Sequence, residues 1–173
     1  MAIEIKNTGR DILKHIHSNR GILWERIAAF NEQLKTVEGC VVAHSEGMAE
    51  QFPLKHKFEG GFYTREILMP KDSLVVSYIH KQTHPSFFLS GEMSVLVDTG
   101  EIKHIKAPMS VMTEIGTQRV AYMHEDCVWV CVYRTDATSV EEAEKEIYTA
   151  NFRELPISVI NKQLLLCQEQ YQQ

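Results

Sequence analysis

Short apolar runs separated by closely spaced turn residues fill the middle of the chain, from Leu74 to Asp126. The turn residues recur at Pro85, Gly91, Gly100, Pro108 and Gly116. Short strands at regular spacing are typical of a closed or sandwiched antiparallel β architecture. The pattern therefore predicts a mainly β protein with an antiparallel β-barrel at its centre.

Two predicted strands indicate which side chains share a face of this barrel. In Phe62 to Met69, aromatic, threonine and aliphatic positions alternate with Arg65, which predicts a strand. The apolar run from Leu74 to His80 predicts another strand. Tyr78 and His80 are two residues apart, so a continuous strand places both side chains on one face.

Helical periodicity appears on both sides of the β region. Apolar residues recur at three- and four-residue intervals from Gly21 to Val37, which predicts a helix that covers a sheet face. We expect this helix to begin at Ser18 or Asn19 and to end at Gly39. Residues 1–19 fit either a helix or a strand-edge arm.

The C-terminal region changes character after Asp136. Ser139 followed by Glu142 forms a capping-box pattern at the start of an amphipathic helix that reaches Tyr148. A second helix is expected from Ile157 to Leu166. The sequence thus predicts one compact domain, with a cover over residues 1–51, a barrel over residues 52–136 and a helical segment over residues 137–173.

Composition narrows the function classes. The chain has 173 residues, 44% of them hydrophobic, and a net charge of −5. These values are typical of a soluble globular protein, and the negative net charge argues against binding to nucleic acid or to an anionic membrane. The N-terminus lacks the apolar run of a signal peptide, and the four cysteines form no CxxC pair. We expect a cytoplasmic protein with buried thiols.

A polar set lies within the predicted barrel: Tyr78, His80, His84 and Arg119. Two imidazoles four residues apart, with a tyrosine just upstream, can form part of a divalent-metal site for zinc, iron, nickel or manganese. In that case His80 and His84 are the first ligands, and Tyr78 or Glu66 supplies an oxygen. Histidines that only form hydrogen bonds within the barrel explain the pattern equally well.

Arg119 has a separate implication. A guanidinium inside a small barrel needs a partner, because burying an unpaired charge is costly. Glu66 and Glu114 are candidate partners. An anionic ligand is the alternative, since a guanidinium binds carboxylates and phosphates through paired hydrogen bonds.

The spacing of these residues resembles the two cupin motifs, G(x)5HxH(x)3-4E(x)6G and G(x)5PxG(x)2H(x)3N. The first motif starts at Asp72 and ends at Gly91, with Tyr78, His80 and His84 at its ligand positions. The second starts at Pro108 and puts Arg119 at its histidine. Only His80 keeps its residue type among the four usual metal positions. The resemblance covers Phe62 to Tyr133 and implies a double-stranded β-helix, usually dimeric.

A narrower resemblance covers most of the chain. The runs FPLKHKF, IHKQTHPSFFLSGEMSV, GTQRVAYMHED and VWV are similar to a family of small cupin-like proteins from tailed-phage genomes and their hosts. This resemblance implies a cupin-like fold, a phage or host genome as the origin, and a location in the host cytoplasm or in the virion. It implies no activity.

Three functions remain open at this point. The first is a binding protein that holds a metal ion or a small anionic ligand in the barrel. The second is a phage structural or accessory protein in which the barrel is an oligomerising block. The third is a metal-dependent enzyme acting on a small molecule, which Arg119 at a ligand position disfavours because its charge repels a divalent ion. In each case we expect at least a homodimer, since Leu164, Leu165 and Leu166 need a covering surface.

Overall fold

Two antiparallel sheets face each other in the computed structural model, which describes residues 9–18, 21–41, 47–97 and 99–170. The strands are β1 (Leu54–Glu59), β2 (Phe62–Met69), β3 (Leu74–Val76), β4 (Ile79–His80), β5 (His84–Ser90), β6 (Glu92–Leu96), β7 (Ile102–Lys106), β8 (Met109–Thr113), β9 (Val120–Met123), β10 (Cys127–Arg134) and β11 (Tyr148–Thr149). The helices are α1 (Gly9–Ser18), α2 (Leu23–Leu34), α3 (Met48–Gln51), α4 (Val140–Ile147) and α5 (Ile157–Gln170).

The strand order confirms the predicted fold class. One sheet has the order β1-β2-β10-β5-β8, and the facing sheet has the order β3-β9-β6-β7. Strands that are near in sequence alternate between the two sheets, as in the double-sheet jelly roll that cupins share. The protein is therefore a mainly β, cupin-type barrel, or double-stranded β-helix, with helices at both ends.

Helices α1 and α2 cover the outer face of the four-stranded sheet. One buried cluster joins these helices to the sheet. It contains Leu13 and Ile16 of α1, Leu23, Ile27 and Phe30 of α2, and Leu96 and Val120 of the sheet. The predicted role of the N-terminal helix is confirmed, but its predicted start and its predicted end at Gly39 are wrong, since α2 stops at Leu34 and turns follow it. Helix α2 begins at Leu23 after Ile22, which caps it without a side-chain hydrogen bond, and Ser18 is instead the last residue of α1. Asn19 lies outside the described residues.

The predicted strand from Leu74 to His80 is two strands in different sheets. Strand β3 pairs with β9, whereas β4 pairs with β11. The backbone leaves the four-stranded sheet at Ser77, whose hydroxyl accepts a hydrogen bond from the Arg119 amide at 2.9 Å. This break places Tyr78 and His80 beside the C-terminal segment.

The C-terminal region confirms the capping box and corrects its end. The Ser139 side chain accepts a hydrogen bond from the Glu142 amide, and α4 starts at Val140 as expected. Tyr148 is not in the helix but in β11, opposite His80. No helix in the described parts of the chain is long and apolar enough to cross a membrane.

Candidate ligand-binding site

A cavity of about 1090 Å³ lies between the inner faces of the two sheets and continues as a groove beside α2. One part of its lining, called the polar wall below, carries polar and aromatic side chains from six segments: His56, Arg65, Tyr78, His80, Arg119 and Tyr148. Apolar side chains from β2, β3, β6 and β9 form much of the remaining wall. A cavity of this kind, mostly apolar with a few converging polar groups, is typical of small-molecule sites.

Arg119 reaches across the barrel from one sheet to the other. Both terminal nitrogens of its guanidinium donate to the Thr113 hydroxyl at 3.3 Å, and the group lies 5.7 Å from the centre of the Trp129 ring. Thr113 is fully buried, and its hydroxyl is 2.8 Å from that of Ser86. The position of the guanidinium is thus fixed by a buried hydroxyl pair and an aromatic face.

Arg65 brings a second cation to the same cavity. It lies on the inner face of β2 between Tyr63 and Ile67, and its Nε is 3.7 Å from a carboxylate oxygen of Glu144. Its guanidinium also lies 5.8 Å from the ring centre of Tyr148. The side chains of Arg65 and Glu144 are only 15% and 14% exposed, so this pair is largely removed from water. Charges in such surroundings act more strongly than they do on the surface.

His80 sits at the centre of an aromatic cluster. Its Nδ1 is 3.2 Å from the hydroxyl of Tyr133, and that hydroxyl is 2.9 Å from the hydroxyl of Tyr148. Burial, together with the neighbouring His84 imidazole and the positive charges of Arg119 and Arg65, holds the pKa of His80 well below its usual value. His80 is therefore neutral at pH 7 and can accept or donate a hydrogen bond. Burial raises the pKa of Tyr148 to about 12, so its hydroxyl stays protonated.

His84 is more deeply buried, with 2% of its surface exposed. Its ring centre is 4.7 Å from that of His80 and 4.1 Å from that of Tyr133. Nδ1 is 2.9 Å from the Gln82 carbonyl oxygen, which can only accept, so Nδ1 carries the proton. Nε2 is consequently a buried acceptor, and it has no hydrogen-bond partner among the described residues. Burial lowers the pKa of His84 as well.

The five predicted site residues divide into three groups. Tyr78, His80 and Arg119 line one cavity, and the Tyr78 ring stacks on Tyr148 at 6.0 Å. His84 contacts His80 but is not part of the cavity wall. Glu66 lies on the opposite face of β2 from Arg65, where its carboxylate is 2.6 Å from the Lys55 ammonium. The structure therefore corrects the place of Glu66, because side chains at adjacent strand positions point to opposite faces.

A divalent metal does not fit these residues. His80 and His84 bring two imidazoles together, but no group of three or more His, Cys, Asp or Glu side chains suited to a metal is present in the described ranges. Protein zinc sites usually need three or four such ligands. Glu144, an acidic residue of the cavity wall, already faces Arg65. The expected ligand set of His80, His84 and Tyr78 thus lacks the carboxylate that would offset two nearby arginines.

Sequence reasoning missed Arg65, Tyr133 and Tyr148. Arg65 was detectable, because it shares the inward parity of Tyr63, Ile67 and Met69 on a strand that was predicted correctly. Tyr148 had no local signal of this kind, since its place depends on pairing between β11 and β4, which are distant in sequence.

Comparison with known proteins gives only distant matches. No protein-family model and no curated protein sequence matches the chain. Among solved structures, ectoine synthase from P. lautus is 16% identical with a TM-score of 0.47, and the match covers 64% of this chain and 88% of that one. A cupin domain of an XRE family transcriptional regulator from Enterobacter cloacae is 15% identical with a TM-score of 0.41, over 50% of this chain and 99% of that one.

KdgF from Halomonas sp. is a third such structure, 10% identical with a TM-score of 0.42, over 50% of this chain and 82% of that one. Two further matches, from Streptococcus pyogenes and Vibrio parahaemolyticus, are proteins of unknown function. Likenesses at this level carry no conclusion about activity, ligand or family for this chain.

Proposed function

We propose that this protein binds a small organic anion inside its barrel. The observation that carries the proposal is the convergence of Arg65 and Arg119, from opposite sheets, on the polar wall of one cavity. A guanidinium is the side chain best suited to hold a carboxylate, because its donors form a planar fork. Glu144 lies opposite Arg65, so a ligand carboxylate there would share that guanidinium with it.

Neutral polar groups complete the proposed site. Tyr78, Tyr148 and His80 line the same wall and can donate or accept hydrogen bonds to further oxygen atoms of a ligand. Such an arrangement suits a binding protein. It also disfavours the metal-dependent enzyme, because no group of three or more ligand side chains lies together in the described ranges and the two arginines would repel a divalent ion.

A thermal-shift screen of small anions tests the proposal. At pH 7, organic carboxylates should raise the melting temperature of the wild-type protein, whereas uncharged analogues of the same size should do so less. Arg119→Gln should remove most of the shift. Arg134→Gln, which removes an exposed arginine at the end of β10, should leave the shift unchanged. The proposal is overturned if every carboxylate tested leaves the wild-type melting temperature unchanged.

The second candidate is a phage-type structural or accessory protein that uses the barrel as an oligomerising block. It is favoured by exposed apolar side chains on two surfaces, the five-stranded sheet (Phe62, Leu68, Phe87, Leu89 and Met112) and helix α5 (Ile157, Leu164 and Leu165). Contiguous exposed apolar surface marks interaction sites. A homodimer is compatible with both candidates, and both the dimer and the phage origin remain predictions.

A further inference from the structure

The inner wall of the barrel is ordered in layers, from charged to apolar, along the strand direction. In β2 and β10, Arg65 is paired with Cys131, Ile67 with Trp129, and Met69 with Cys127. Each step of two residues moves about 7 Å along a strand and returns to the same face. Over about 13 Å, from Arg65 to Met69, the wall therefore changes from a cation to thioether and thiol groups.

The facing sheet shows the same gradient in the same direction. Arg119 precedes β9, and the next inward residue, Ala121, is paired with Val75 on one side and with Val95 on the other. One step further, Met123 is paired with Met93. Arg119 itself bonds to Thr113 of the opposite sheet, which places the charged positions of both sheets at one level.

The layer of the cavity wall that lies beyond Arg65 and Arg119 is apolar. Five side chains of one buried cluster line this part of the cavity, and each is at most 9% exposed. They are Ile67, Met69, Met93, Val95 and Ala121. None of these side chains carries an N–H or O–H donor or an oxygen acceptor, and the two thioethers are only weak acceptors. A ligand hydroxyl or second carboxylate placed here would lose its hydrogen bonds to water and would gain none from the protein. Because this loss is costly, the layer favours an apolar part of the ligand.

We infer that the ligand is an amphipathic monocarboxylic acid, with its carboxylate at Arg119 and Arg65 and an unsubstituted aliphatic or aromatic body along the layer formed by Ile67, Val95 and Ala121. This inference rests on the proposed function and deepens it by naming the ligand class. Dicarboxylates and inorganic anions match the charged level of the cavity but not the apolar one, and sugars lack both the charge and the apolar body.

A chain-length series measured by isothermal titration calorimetry tests the inference. The probes are acetate, butyrate, hexanoate and octanoate at pH 7, with 1-octanol and octylamine as matched controls for the carboxylate and succinate as a control for the body. We expect affinity to rise about fourfold for each added methylene, the gain for burying that group, until the cavity is filled. Octanol should bind more weakly than octanoate, and octylamine and succinate should bind more weakly still.

The possible results test the anion site and the apolar body of the ligand separately. If acetate and succinate bind as tightly as octanoate, the apolar body is wrong while the anion site stands. If octanol and octylamine bind as tightly as octanoate, the anion site is wrong and only an apolar cavity remains. If none of the probes binds, both claims are overturned.

A variant of the apolar layer adds a second test. Ala121→Leu adds bulk beside Val75 and Val95, and should weaken octanoate at least tenfold while changing butyrate little. Circular dichroism checks that this variant folds, and the wild-type series decides the inference if it does not. Equal loss for both acids would contradict the proposed direction of the ligand.

Discussion

The guanidinium of Arg119 donates two hydrogen bonds at 3.3 Å to the hydroxyl of Thr113, on the opposite side of the barrel. This contact joins the two sheets at the level of the proposed carboxylate site. It also explains why arginine is compatible with the barrel interior, because part of its hydrogen-bonding demand is met by a fully buried hydroxyl.

Thr113→Val should weaken anion binding through Arg119, because the guanidinium loses the acceptor that positions it. Ser86 also loses its 2.8 Å partner, so we expect a loss of about 1–3 kcal/mol in the free energy of unfolding. The control is Thr64→Val on β2, whose Cα partner in β10 is Val132, outside the polar layer. Titration with hexanoate and urea unfolding measure the two effects. If Thr113→Val binds hexanoate with the affinity of the wild type, the hydrogen bond to Thr113 does not position Arg119.

Stability should fall as the pH drops below about 6.5, the ordinary pKa of histidine. Burial lowers the pKa values of His56, His80 and His84 in the folded protein. Below pH 6.5 the unfolded chain therefore binds protons that the folded chain does not, which shifts the equilibrium towards unfolding. Melting temperatures at pH 7.5, 6.5 and 5.5 measure this loss.

His80→Gln should make the same pH dependence less steep, since it removes the most strongly affected of these imidazoles. His104→Gln is the matched control, because His104 is on β7 and 48% exposed. An identical slope in wild type and His80→Gln would mean that His80 titrates normally in the folded state.

Chelation should leave both stability and anion binding unchanged. In the described parts of the chain, imidazoles come together in pairs (His80 with His84, and His104 with His124) and not in larger ligand groups, so bound metal should be well below one ion per chain. Elemental analysis before and after dialysis against EDTA measures the content. One tightly held ion per chain, lost in His80→Ala, would restore the metal site that the sequence predicted.

The chain should form a dimer in solution, with a mass twice the 19.9 kDa of the monomer. Leu164 and Leu165 of α5 are 43% and 60% exposed, and Phe87 and Met112 are exposed on the five-stranded sheet. Leu165→Glu and Phe87→Glu separate the two surfaces, because only the variant in the true interface should become monomeric. Light scattering at micromolar concentration decides this prediction. A wild-type mass near 19.9 kDa would contradict it.

Local patterns predicted most of the barrel because its strands are short, regular and separated by turn residues. Strand β2 spans Phe62–Met69 as the alternation indicated, and the capping box at Ser139 starts α4. The break at Ser77 could not be predicted in this way, because it depends on hydrogen bonds to Gln118 and Arg119, about 40 residues further along the chain.

The candidate site was predicted in part for the same reason. Tyr78, His80 and Arg119 were found as polar residues within a predicted barrel, with the cupin spacing as further support, and the cavity does bring them together. Glu66 was misplaced because its charge was considered without its strand parity, which instead selects Arg65. Tyr133 and Tyr148 complete the cluster through long-range pairing, which leaves no short-range pattern in the sequence.

The most direct test of the central claim is nuclear magnetic resonance of the arginine side chains during titration with hexanoate. Binding in the cavity predicts that the Nε resonances of Arg119 and Arg65 shift and saturate together, while those of the exposed Arg134 and Arg153 stay in place. Shifts confined to the exposed arginines, or none at all with hexanoate in large excess, would contradict an anion site inside the barrel.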